Sequence, residues 1–126
     1  MNTFEMKTVI HFGENALERL KDIPYKRVLI ITDPFVVQSK MIDLITEPLT
    51  RGGKEYDIFH NVVPDAPVDK IADGVKKFLS FQPEVVVAVG GGSAIDSSKA
   101  IREFALKINH YAEVGLIAIP TTSGTG

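Results

Sequence analysis

Residues 85–99 read VVVAVGGGSAIDSSK, and the fold turns on this stretch. Val85–Val89 is short, continuous and almost entirely β-branched, the pattern of a strand buried on both faces. It runs straight into Gly90, Gly91 and Gly92, which allow backbone angles and close approaches that a β-carbon would block. Ser93–Ile108 then has the length and spacing of a helix. A strand, a glycine turn and a helix in succession bring backbone amides and a helix N-terminus, worth about half a positive charge, to the carboxyl end of a sheet. Such a place suits an anion, and a phosphate above all.

The flanking sequence extends the same alternation in both directions. Thr8–Phe12 reads as a first strand, followed by Gly13 and a helix around Asn15–Lys21 that Pro24 closes. Arg27–Thr32, RVLIIT, is a second fully apolar strand, with Asp33-Pro34 as punctuation at its end. Ser39–Arg51 has helical periodicity through Met41, Ile42, Ile45 and Leu49, although Pro48 lacks the amide donor that a helix interior uses. Glu55–Phe59 is the next strand, Val68–Phe81 the next helix, with Ile71, Val75, Phe78 and Leu79 on one side, and Gly115–Ile119 the last strand. The order βαβαβαβαβ, with continuous apolar strands, predicts an α/β fold: a Rossmann-like parallel sheet with helices on both faces.

Composition narrows the function. The 126 residues carry 14 Lys and Arg against 16 Asp and Glu, a formal net charge of -2, and these charges are scattered. That argues against nucleic acid and against a polybasic membrane patch. No apolar run approaches the roughly 20 residues of a membrane span, and the N-terminus lacks the layout of a signal peptide, so the expected location is the cytoplasm. With no cysteine, disulfides and thiolate chemistry are excluded together. The last residues, TTSGTG, form a hydroxyl-rich loop without a closing element, and the expectation is the first part of a longer protein.

The glycine turn matches neither of two familiar phosphate motifs. Ile95 stands where G-x-G-x-x-G needs its third glycine, and the Lys-Ser/Thr pair of a P-loop is absent. Ser93 is well placed as an N-cap, and Asp96 three residues on would complete a capping box. Lys99 is expected to pair with Asp96 at i+3. Asp33 admits two readings of equal weight: an Asx turn before Pro34, or a carboxylate that accepts hydrogen bonds from a ribose diol. In IPTTSGTG, the hydroxyls of Thr121, Thr122, Ser123 and Thr125 could meet a second part of an extended ligand. His11, His60 and His110 are too dispersed for a metal cluster, and no G-x-S-x-G elbow marks a hydrolase. The sequence therefore gives no catalytic residue and no metal ligand.

GGGSAIDSSKAI and AIPTTSGTG, in this order and separation, resemble the N-terminal half of the iron-containing (group III) alcohol dehydrogenase family, as do FGENAL and ITDPF. The resemblance covers essentially the whole chain, and is nearest to the propanol and ethanol dehydrogenases of propanediol and ethanolamine utilisation. It implies a dehydroquinate synthase-like N-terminal domain over 1–126 that binds NAD, followed by a helical domain holding a divalent metal, iron or zinc, through one aspartate and three histidines, none of them in this chain. It implies Gly91, Gly92 and Ser93 at the pyrophosphate, Thr121, Thr122 and Thr125 near the nicotinamide, and Asp33 at the adenosine ribose, an acid typical of members that prefer NAD. Asp65, in a loop where the family often has asparagine, is a further contact. The implied reaction is hydride transfer between NAD(H) and a small primary alcohol or aldehyde, with the 126 residues alone inactive. Homodimers or higher oligomers through Met6–Phe12, and a cytoplasmic or microcompartment setting, follow from the same likeness. The alternatives are a glycerol dehydrogenase-like relative and a free-standing nucleotide-binding module.

Overall fold

A computed structural model describes residues 7–9, 17–65, 67–109 and 113–121. The elements that lie wholly within these described residues are the strands β1 (Lys7–Val9), β2 (Arg27–Thr32), β3 (Glu55–Phe59), β4 (Val85–Gly90) and β5 (Gly115–Pro120), and the α-helices α1 (Pro34–Gln38), α2 (Asp43–Arg51), α3 (Val68–Phe81) and α4 (Gly92–Asn109). A 3-10 turn at Arg19–Asp22 precedes β2. All strand pairs are parallel, in the order β1-β5-β4-β2-β3.

The alternation of side chains along each strand divides the core between the two faces of the sheet. Val28, Ile30, Val85, Val87, Val89, Ile117 and Ile119 face one layer, where they meet Leu20, Ile45 and Leu49 from the 3-10 turn and α2. Leu29, Ile31, Val86, Ala88 and Leu116 face the other, against Val75 and Phe78 of α3 and Ala94, Ile101 and Ala105 of α4. Every residue of β4 is buried, as the unbroken apolar run requires. Each fully buried valine, leucine or isoleucine contributes about 1.5–3 kcal/mol before the entropy of ordering the chain is subtracted. Helices cover both faces.

Three elements differ from the sequence expectation. Asp33-Pro34 does more than end β2: Asp33 caps the short helix α1, with Pro34 at its first turn. α2 begins at Asp43 rather than Ser39, because Lys40 takes a left-handed φ of 68° and the chain turns there first. Pro48 lies buried inside α2, which still runs to Arg51. β1 is an edge strand whose described part ends at Val9.

At the amino edge of the sheet, Glu84 ties β4 to β2. Its carboxylate accepts hydrogen bonds from the backbone amides of Lys26 and Arg27. These two bonds, Lys26 first, hold its pKa below the ordinary glutamate value, and the nearby Arg27 and Lys26 charges act in the same sense. A lowered carboxylate pKa stabilises the fold above the unfolded-state value and is lost as pH falls through the folded one. Glu84→Gln keeps an acceptor oxygen and removes the charge. For an exposed group this should cost roughly 0.5 kcal/mol near pH 7, about 2 °C in Tm, and the difference from the parent should shrink as pH falls below the ordinary glutamate value and through the lowered one of the folded state. Thermal melts of both proteins from pH 3 to 7 check this.

Candidate functional site

From β2 the chain moves outward on one side of the sheet to β3, and from β4 it moves outward on the other to β5. The carboxyl ends of β2 and β4 are therefore a topological switch point, the place where an open α/β sheet has a crevice. Thr32 and Val89 are partners across it, and the buried Thr32 hydroxyl donates to the Val89 carbonyl at 2.7 Å. That bond fixes the two strand ends relative to one another.

The two oxygens of the Asp33 carboxylate have different surroundings. One carboxylate oxygen, Oδ1, accepts from the Val36 amide at 3.0 Å and caps α1. The other, Oδ2, lies beside Gly90, where it would be 3.1 Å from a β-carbon if that residue had one. Gly90 has a φ of +138°, and the same β-carbon would be 2.9 Å from the Ala94 β-carbon. Glycine is thus required here by backbone and by space. The sequence places the glycine turn from Gly90 onward, but the resemblance puts only Gly91, Gly92 and Ser93 at the ligand and leaves out Gly90, whose neighbour Asp33 is 57 residues away in sequence.

The capping box does not form. α4 starts at Gly92, and the Gly91 carbonyl accepts from the Ile95 amide, so Ser93 lies within the first helical turn and is exposed. The physical reason is that Gly92 adopts the helix itself instead of belonging to a loop before it. No acid lies in that first turn to offset the N-terminal partial charge. A β-carbon on Gly92 would meet nothing within 4 Å, so the backbone there faces open space. Thr121 joins the same edge through its amide, which donates to the Gly90 carbonyl at 3.0 Å. Thr122, Ser123 and Thr125 lie outside the described residues.

On the α3 side, Asp65, Ile71, Ser93, Asp96, Ser97 and Ala100 line an open cleft of about 330 Å³. Asp65 stands in the left-handed region at φ 55°, a conformation that aspartate and asparagine tolerate. Asp96 and Lys99, expected to pair, are not among the ion pairs of the described residues, and Asp96 turns to the cleft instead. Ser97 escaped the sequence reading because a serine inside a helix carries no signal of its own. Among the described residues no group of three or more His, Asp or Glu could hold a metal ion. His60 is exposed, and His11 and His110 lie outside the described residues. No described helix is long and apolar enough to cross a membrane.

The family model described as iron-containing alcohol dehydrogenase matches residues 7–126. The chain is 36% identical to 1-propanol dehydrogenase PduQ of Salmonella typhimurium over 126 residues, all of this chain and 34% of that protein. Among solved structures, an iron-containing alcohol dehydrogenase from Thermococcus thioreducens superposes with a TM-score of 0.77 at 27% identity, covering 96% of this chain and 37% of the other. NADH-dependent butanol dehydrogenase A from Thermotoga maritima, at 21% identity and a TM-score of 0.75 over 96% of this chain and 35% of its own, has the same fold. The chain spans about a third of the length of the relatives it matches.

Proposed function

The chain belongs to the iron-containing alcohol dehydrogenase family, and from that premise we propose that it is the NAD-binding domain of an enzyme that interconverts small primary alcohols and aldehydes. The observation that carries this reading is the open backbone of Gly92 at the N-terminus of α4, beside Asp33 at the switch point between β2 and β4. The 1-propanol dehydrogenase relative supports a short alcohol as substrate.

In this reading the amides of the Gly91–Ser93 turn hold the pyrophosphate, drawn by the uncompensated helix end. Asp33 already spends Oδ1 on the α1 cap and is therefore held rigid, with Oδ2 left to accept from the adenosine ribose. Thr121, Thr122 and Thr125 flank the nicotinamide, and their loop follows a strand fixed to β4 by the Thr121 amide. When bound, NAD supplies the hydride acceptor, and a divalent iron or zinc ion polarises the substrate oxygen. In this reading that ion's ligands lie in a helical domain that follows these residues in the full-length enzyme. Residues 1–126 position the carrier and do not turn substrate over.

Asp33 should also set the choice of cofactor, because its carboxylate opposes the charge of a 2′-phosphate. Titration with NADH and NADPH should show at least about 10-fold preference for NADH, equivalent to 1.4 kcal/mol. In Asp33→Gly the preference should fall to near unity, with the fold intact by circular dichroism, since glycine at an N-cap costs only a few tenths of a kcal/mol. Equal affinities in the parent protein would count against the role given to Asp33.

A further inference from the structure

Helix α4 buries Ala94, Ile101 and Ala105 in the core, yet leaves two large apolar side chains in solvent. Phe104 is 52% exposed, and Ile108, one turn on, is 58% exposed. Half-buried Ala100 stands one turn before them, so the three form a stripe at i, i+4 and i+8 along one side of the helix. Single exposed hydrophobics are ordinary, whereas contiguous apolar surface rimmed by charge is the pattern of a contact site. Exposed Glu103 and Lys107 form that rim. They are four residues apart, in the order that favours pairing within a helix, yet neither is in an ion pair among the described residues.

We propose that this stripe is a self-association surface, on which α4 of a second copy of the chain packs antiparallel across a two-fold axis at Phe104. The charges select both the occupant and the direction. A two-fold axis sets the same patch against itself, so Glu103 of each copy meets Lys107 of the other and two opposite-charge pairs form at once. The two Phe104 rings meet at the axis, and Ile108 lies over the small Ala100 of the second copy. A parallel arrangement would set Glu103 beside Glu103 and Lys107 beside Lys107, and both pairs repel. Three side chains and their rim are far fewer than the roughly 20–30 residues per side of a stable interface, so the dimer is transient and fills only at high concentration. The inference stands on α4 and does not depend on the nucleotide reading.

The test is sedimentation velocity of the 126-residue chain, without nucleotide, over an about 100-fold range of concentration, with amide spectra of the nitrogen-15-labelled chain at both ends of the range. The sedimentation coefficient is expected to rise from the monomer value toward that of a dimer, with concentration-dependent shifts centred on the amides of Phe104, Lys107 and Ile108. Phe104→Gln, an exposed change to a good helix former, should keep the fold by circular dichroism and leave the chain monomeric throughout. Glu103→Lys and Lys107→Glu should each weaken association roughly 10-fold, and the double variant, which exchanges the two charges, should return to within about 3-fold of the parent. A parent chain that stays monomeric at every concentration overturns the proposal. So does association that survives Phe104→Gln, which would place the contact elsewhere, for instance at the edge strand β1. A double variant that associates no better than the single ones overturns the antiparallel pairing and the proposal with it.

Discussion

Gly90→Ala is expected to destabilise the protein by about 3 kcal/mol, lowering Tm by roughly 10 °C, and to abolish detectable NADH binding. Two separate costs add. A φ of +138° is open to glycine and strained for any residue with a β-carbon. The new methyl would also be 2.9 Å from the Ala94 β-carbon, and Ala94 is itself buried against the sheet and cannot withdraw. The third contact concerns function: at 3.1 Å from Asp33 Oδ2, the methyl pushes the carboxylate out of the position in which the cap of α1 holds it. Thermal melts report the first effect and a nucleotide titration well below the lowered Tm the second. A variant that melts with the parent would mean that Gly90 is not held at this backbone angle.

Gly92→Val should behave in the opposite way. The site is already helical, and a β-carbon there meets nothing within 4 Å, so the substitution should move Tm by no more than about 2 °C. Yet the side chain projects into the space where the backbone would approach a phosphate, and NADH affinity should fall by at least about 30-fold, close to 2 kcal/mol. The pair of variants thus distinguishes a glycine that the fold needs from a glycine that a ligand needs. If Gly92→Val binds NADH as the parent does, the open backbone is not the ligand's surface.

The sheet was legible because β2 and β4 are continuous apolar runs that only a strand buried on both faces explains, and their bounds hold to within one residue. Glu55–Phe59 and Val68–Phe81 also stand as read, the first bounded by Gly52-Gly53 and the second by Gln82, which takes a left-handed φ of 59° at the helix end. What the sequence hid has physical causes. Asp33-Pro34 marks a turn and an N-cap with proline at N1 equally well, and only the packing of Val36 into the core decides for the helix. Gly92 reads as loop by propensity, yet tertiary packing of Ala94 and Ile101 draws the helix back over it and displaces Ser93 from the cap. The contact of Asp33 with Gly90 depends on β2 and β4 being neighbours, which no local pattern specifies. The same holds for the cleft, where Asp65 and Asp96 come together only because α3 and α4 pack side by side.

The central claim is that the carboxyl edge of β2 and β4 is where a dinucleotide binds, and an amide map of the nitrogen-15-labelled chain with NADH tests it most directly. The account predicts shifts at Asp33, Gly90, Gly91, Gly92, Ser93 and Thr121, with Lys26, Arg27 and Glu84 at the amino edge unchanged. A saturating addition that leaves the glycine turn unmoved, or that shifts the amino edge instead, would contradict it.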